Sequence, residues 1–318
     1  SNIHANNVTL NTGVPIVGLY LLSIAFELYN STFVNVGHVV LIGQNPQHRN
    51  FGYLMEIRIQ NCSFINGHSS QYGGVIYVHL YERLLVKAIF EIANSSFINN
   101  TCDLSGGALY INAKHYISFK ARFMTLSLIQ CVFVNNNAFK SGGSIYLTKG
   151  IHLKINNARF LVDNIADTAT IKGLFLMCYG TSDIDNVEFV INQQIRAQSV
   201  INIVPDGKSM ILSKVVYVQI CPQWQFGELT YETKNDQGIV NFHSGCKLCP
   251  FLMYSQLSRE MSINVQPSSE SADMTNQTHI KNSSCKSCPY GSQCVGGIPR
   301  PKNNFWGDKI DNDLTFYQ

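Results

Sequence analysis

The sequence predicts an all-β protein built as a parallel β-helix of about six coils and closed by a small disulfide-rich module. Three observations predict it. Six columns of residues recur in register over the first two thirds of the chain. Polarity within each repeat alternates with a period of two. Cysteine density rises abruptly after residue 220, with six of the ten cysteines between Cys221 and Cys294. The expected organisation is a repeat domain over 1–220 and a Cys-rich module over 221–318.

The repeat aligns on Phe33, Phe64, Phe97, Phe133, Phe160 and Phe189, spaced 27 to 36 residues apart. Five residues before each stands an aliphatic side chain: Leu28, Ile59, Ile92, Leu128, Ile155 and Ile184. Three before stands an amide: Asn30, Asn61, Asn94, Gln130, Asn157 and Asn186. Two before stands a small residue: Ser31, Cys62, Ser95, Cys131, Ala158 and Val187. Two after stands Asn35, Asn66, Asn99 and Asn135, and the pattern then decays to Val162 and Ile191.

Met55 to Gln60 and Met124 to Leu128 alternate apolar and polar, the signature of a strand. A second strand follows the amide and places Cys62, Phe64 and Asn66 on one face. A third follows a double glycine at Gly73-Gly74, Gly106-Gly107 and Gly142-Gly143. Period two then turns Ile76, Leu109 and Ile145 inward. It turns Val75, Ala108 and Ser144, and with them Tyr77, Tyr110 and Tyr146, outward. One such coil cannot bury its own inner face, so stability comes from stacking neighbours. Amides at equivalent bends can hydrogen-bond along the stack, and double glycine suits a bend with positive φ and close backbone approach. Length differences fall in loops such as 112–122.

Composition narrows the function. Charged residues are 14% and the net charge is +3 without runs, which argues against a nucleic-acid binder or a polybasic membrane tether. Hydrophobic residues at 45% argue against disorder. The most apolar stretch, Val14 to Phe26, contains Pro15 and Gly18 and is too short for a transmembrane helix. The chain starts at Ser1 with no signal-peptide layout, as expected of a piece of a longer polypeptide.

The double-Gly and Phe-Asn pairing resembles the repeat of the chlamydial polymorphic outer-membrane proteins. Gly106-Gly107-Ala108-Leu109 matches that family's first motif, and Phe97 with Asn100 and Phe133 with Asn136 match its Phe-x-x-Asn motif. The resemblance covers roughly residues 14 to 205 and implies a right-handed β-helix of the pectin-lyase-like type; it implies fold, not chemistry.

Beyond residue 220 the motifs are Cys246-Lys247-Leu248-Cys249-Pro250 and Cys285-Lys286-Ser287-Cys288-Pro289-Tyr290-Gly291, with Cys294 following. Paired CxxC motifs can hold zinc. Here 35 residues separate the pairs and Pro follows each second cysteine, so disulfides are the favoured reading. The simplest pairing is Cys221–Cys246, Cys249–Cys285 and Cys288–Cys294. The run Cys285 to Gly307 resembles ephrin-receptor-like and growth-factor-receptor Cys-rich modules of cell-surface proteins. That resemblance implies an ectodomain in an oxidising compartment, with a membrane anchor outside this fragment.

Seven Asn-x-Ser/Thr triplets occur, at Asn7, Asn30, Asn61, Asn94, Asn99, Asn276 and Asn282. Asn276, Asn282 and Asn99 are the expected glycosylation sites. Asn30, Asn61 and Asn94 belong to the amide column and are unsuited if that column points inward. No catalytic residue, cofactor or metal is expected. The outward positions after the double glycine hold no acid or base. The acids Asp163, Asp167, Asp183, Asp185 and Glu188 read as solvated, and Cys62 and Cys131 read as buried thiols that form no disulfide with each other. The remaining outward feature is the tyrosine column Tyr77, Tyr110 and Tyr146, the candidate binding face. The expected function is a non-catalytic adhesion, recognition or stalk ectodomain on the cell surface. Its ligand would be a protein or glycan and not nucleic acid. The alternative is a polysaccharide lyase or hydrolase.

Overall fold

A computed structural model describes residues 2–11, 20–21, 25–37, 40–43, 55–79, 88–113, 124–162, 174–191, 198–203, 210–219, 225–234, 239–249, 253–255, 262–265, 279–280, 285–295, 298–304, 306–310 and 313–317. Among these residues all regular structure is β, and the large sheets are mostly parallel. No described helix is long and apolar enough to cross a membrane.

Strands from successive repeats lie side by side in rows. A first row runs Asn2–Asn6, Ala25–Tyr29, Met55–Gln60, Ala88–Ala93, Met124–Ile129, Ile151–Asn156, Thr181–Ile191 and Met210–Gln219, each parallel to the next. A second row runs Thr9–Asn11, Thr32–Val34, Ser63–Ile65, Ser96–Ile98, Val132–Val134 and Arg159–Val162, and joins the far half of Thr181–Ile191. That unbroken strand makes the two rows one 15-stranded sheet. A third row runs Tyr20–Leu21, Val40–Gly43, Ile76–His79, Leu109–Asn112, Ile145–Leu147, Leu176–Cys178 and Gln198–Ile203. Three units add a two-residue strand that the sequence pattern does not reveal: His68–Ser69, Thr101–Cys102 and Asn137–Ala138.

The phenylalanine column is one line of directly paired residues, and it extends beyond the six. Leu10 pairs Phe33 at one end and Tyr217 pairs Phe189 at the other. Those units escape a search on phenylalanine because leucine and tyrosine stand at the paired positions. The rings of Phe33, Phe64, Phe97, Phe133, Phe160 and Phe189 stack with centroids 4.7 to 5.4 Å apart. Aliphatic residues from all three rows surround them in one core. Burying each such side chain is worth about 1.5 to 3 kcal/mol.

The amide column has a conformational cause. Asn7, Asn30, Asn61, Asn94, Gln130, Asn157 and Asn186 all have φ between 48° and 56°. A left-handed residue costs most side chains roughly 1 to 2 kcal/mol, and Asn tolerates it best after Gly. The column faces solvent rather than the interior. An amide ladder does form there: Asn61 donates to Asn30 Oδ1 and Asn30 to Asn6 Oδ1, each at 3.1 Å, and Asn186 donates to Asn157. Asn66 is also left-handed (φ 55°) and exposed, so it leaves the face of Cys62 and Phe64. For Asn94→Ala we therefore expect only the cost of the left-handed bend, about 1 kcal/mol, and Asn94→Gly should restore stability. Urea midpoints check both.

Two fully enclosed amides, Asn100 and Asn136, are the Asn of the Phe-x-x-Asn motif. Asn100 Oδ1 accepts the Gly67 N–H at 2.8 Å, and Asn100 Nδ2 donates to Phe64 O at 3.0 Å and Asn136 Oδ1 at 2.9 Å. Asn136 Oδ1 also accepts the Asn100 N–H, and Asn136 Nδ2 donates to Phe97 O. These side chains stand in for backbone bonds that the bend breaks.

The small column does similar work. Ser31, Cys62, Ser95 and Cys131 each donate to the carbonyl two residues earlier. Ser31 Oγ and Ser95 Oγ also accept the backbone N–H of Val8 and Cys62. Cys62, Cys102, Cys131 and Cys178 are free and buried, so Cys62 and Cys131 are not cross-linked. Burial pushes the Cys131 thiol up to about 11 and the Cys102 and Cys178 thiols up to about 12. All four should resist maleimide in the native protein and label fully in denaturant.

The parallel stack ends where chain direction reverses. Ser262–Val265 pairs antiparallel with Met210–Gln219, and Ile239–Leu248 with both Gln198–Ile203 and Gln225–Lys234. The reversal covers edges that would otherwise offer unpaired backbone groups. Two expected disulfides are present, Cys249–Cys285 and Cys288–Cys294. Cys246 is disulfide-bonded as well, and its expected partner Cys221 lies outside the described residues.

Candidate binding face

The third row carries the tyrosines because the double glycine before it fixes its register. The first glycine of each pair is left-handed: Gly73, Gly106 and Gly142 have φ 60°, 74° and 62°. The second meets the neighbouring backbone directly. A Cβ on Gly74 or Gly107 would sit 2.0 Å from the carbonyl oxygen of Gly107 or Gly143. Val75, Ala108 and Ser144 follow this corner and are buried, not outward as alternation suggests, since the turn has not yet opened into strand. Regular alternation starts one residue later. Ile76, Leu109 and Ile145 point into the core, and Tyr77, Tyr110 and Tyr146 stand on the other side.

Tyr77 pairs Tyr110 and Tyr110 pairs Tyr146 in register. Their rings stack at 5.5 Å and 5.1 Å, 9° and 6° from parallel. Each inner ring face is thus occupied by the next ring, and what points outward is the ring edge with its hydroxyl. Tyr72 packs on Tyr110 at 4.4 Å, and Tyr179 meets Tyr146 at 5.9 Å. Tyr110 is left only 7% exposed, while Tyr77 and Tyr146 are half-buried. The middle ring is therefore an enclosed part of the wall, not an open surface residue. Tyr110→Ala should cost about 3 kcal/mol, as for a buried aromatic, whereas Tyr77→Phe should leave the urea midpoint nearly unchanged.

A polar line runs beside the strip. Tyr77 Oη lies 3.0 Å from His79 Nδ1, Asn112 Nδ2 lies 3.4 Å from the same nitrogen, and Thr148 Oγ1 lies 3.4 Å from Asn112 Oδ1. Burial holds the Tyr110 phenol far above its ordinary value and pushes Tyr146 up to about 12. A phenol whose pKa is higher folded than unfolded binds its proton more tightly in the native state. Its contribution is full below pH about 10 and is lost as pH rises toward 12.

Among the described residues no group of three His, Cys, Asp or Glu side chains is placed to hold a metal ion. Asp183 pairs with His152, which also bonds Thr181, and Glu188 pairs with Arg159; Asp185 is half-buried. Asp163 and Asp167 lie outside the described residues, as do Asn276 and Asn282. Asn99 is exposed, with a left-handed φ of 54°. The His79–Asn112–Thr148 line was not legible as a site in sequence, because three different residue types occupy it; Thr148 is itself buried and accepts the Ala113 N–H. No protein-family model, curated protein or solved structure matches this chain.

Proposed function

We propose that the chain is a non-catalytic extracellular recognition or stalk ectodomain, wound as a right-handed parallel β-helix and joined to a Cys-rich juxtamembrane module over 221–318. The winding is supported by three rows of parallel strands that the chain visits in the same order in successive repeats. The extracellular placement is supported by the disulfides, which persist in oxidising compartments. The partner is a protein or glycan.

The recognition reading rests on one observation: the half-buried phenols of Tyr77 and Tyr146 flank the enclosed Tyr110, beside the half-buried His79 and Asn112. Hydroxyls, an imidazole and an amide suit a ligand rich in hydrogen-bonding groups, such as a glycan or an extended peptide. Sugar stacking on the inner ring faces is excluded by their mutual contact. The test is binding of the full chain to a glycan array and to cells, before and after Tyr77→Phe with Tyr146→Phe. Those changes remove hydroxyls and keep the rings. Loss of binding with an unchanged urea midpoint supports the face; retained binding puts recognition elsewhere. Turnover of a polyuronide would favour the lyase or hydrolase reading.

A further inference from the structure

The exposed amide column has a property that neither the bend nor the ladder requires. Its first four members each open an acceptor triplet: Asn7-Val8-Thr9, Asn30-Ser31-Thr32, Asn61-Cys62-Ser63 and Asn94-Ser95-Ser96. Each Asn is exposed and left-handed. The backbone N–H of each is already bonded to a carbonyl of the next repeat. Strand register places the four in consecutive repeats. The hydroxyl residue two positions on begins the second row, so Thr9, Thr32, Ser63 and Ser96 form a parallel line beside the amides.

We propose that this column is a row of N-glycan acceptors running along one corner of the stack. The inference rests on the extracellular reading, because the donor is a polyprenyl-diphosphate-linked oligosaccharide of the secretory compartment. In the transfer Asn Nδ2 loses one proton and bonds the sugar C1. The C1–O bond to the diphosphate breaks with its electron pair on oxygen, and the lipid diphosphate leaves, balancing the proton released from Nδ2. One N–H remains on Nδ2, so the bond from Asn61 to Asn30 Oδ1 can persist in the modified protein.

Geometry sets the occupancy. Adjacent strands lie about 4.8 Å apart, closer than two branched glycans can stand side by side. Folded molecules therefore carry no glycans on neighbouring repeats, so a doubly modified column has Asn7 with Asn61, Asn30 with Asn94, or Asn7 with Asn94. An expectation that the column points inward would have removed these sites; its outward left-handed bend restores them.

The test is secretion of the full chain from a glycosylating cell line through a fused leader. Enzymatic glycan release in heavy-oxygen water then marks each occupied Asn as labelled Asp. The expected result is label in the column, with intact-mass species carrying at most two column glycans. Thr32→Val should remove label at Asn30 without moving the melting temperature, since the left-handed Asn is untouched. A bare column in folded protein whose Asn99, Asn276 or Asn282 is labelled overturns the inference and leaves the extracellular reading standing. Three or four column glycans on one folded molecule, or glycans on two neighbouring repeats, overturn the exclusion of neighbours. Secreted protein with reduced Cys249, Cys285, Cys288 and Cys294 overturns the extracellular reading itself.

Discussion

Asn100→Ala should be among the most damaging single changes in the repeat region. Its side chain is fully buried and bonds the Gly67 N–H, the Phe64 carbonyl and the Asn136 amide. Truncation strands two backbone groups away from water, at about 1 to 3 kcal/mol each, and the loss of packing adds to this. A total of about 3 to 6 kcal/mol is expected, read as a fall in the urea midpoint. Asn100→Asp keeps the shape but replaces the donating NH2 with an acceptor, so it should rescue little. Asn94→Ala, on the exposed column, sets the scale for comparison. Equal losses at Asn94 and Asn100 would mean that the buried ladder contributes nothing beyond a bend preference.

The second large effect belongs to Gly107. An added Cβ would lie 2.0 Å from Gly143 O and 2.5 Å from Asn137 O, both backbone atoms of the neighbouring repeat. No rotamer relieves this contact, so the two repeats must separate locally. Overpacking usually costs about 1 to 3 kcal/mol, and a clash with paired backbone belongs at or beyond the top of that range. Gly107→Ala should also raise amide exchange along Leu109–Asn112 and Ile145–Leu147, which the separation unzips. Gly150→Ala is the control. Gly150 has φ 85° with nothing within 4 Å of an added Cβ, so it carries only the conformational cost of roughly 1 to 2 kcal/mol. A Gly107 variant no worse than the Gly150 variant would contradict the close approach.

The tyrosine strip and the two asparagine columns show where sequence reasoning ends. Register was legible. The phenylalanine column pairs residue for residue, and the amide and double-glycine bends bond to the next repeat in the same register, because a one-residue slip would turn every core side chain outward. The inward set Ile76, Leu109 and Ile145 followed from period two alone. One step earlier, Val75, Ala108 and Ser144 break the alternation and are buried, because period two holds only once the chain has left a corner. Alternation does not decide the amides either. A column of Asn is compatible with a buried ladder or with an exposed left-handed bend, since both select the same residue for different reasons. Backbone φ separated the two, and it moved the buried role to Asn100 and Asn136, which the motif Phe-x-x-Asn marked without explaining.

By itself the sequence determined the all-β class, the order of the repeats and the absence of a Cys62–Cys131 cross-link; for the C-terminal cysteines it offered a simplest pairing among fifteen, and the structure selected Cys249–Cys285 and Cys288–Cys294. These follow from local alternation, column spacing and cysteine position, all properties of the chain read in one dimension. Only the tertiary structure decided that Tyr110 is enclosed, that the rings present edges, and that Asn7, Asn30, Asn61 and Asn94 face water. Those facts depend on what neighbouring repeats place about 4.8 Å above and below a side chain. A residue's own sequence neighbours lie along the strand, at right angles to that direction, and do not specify it.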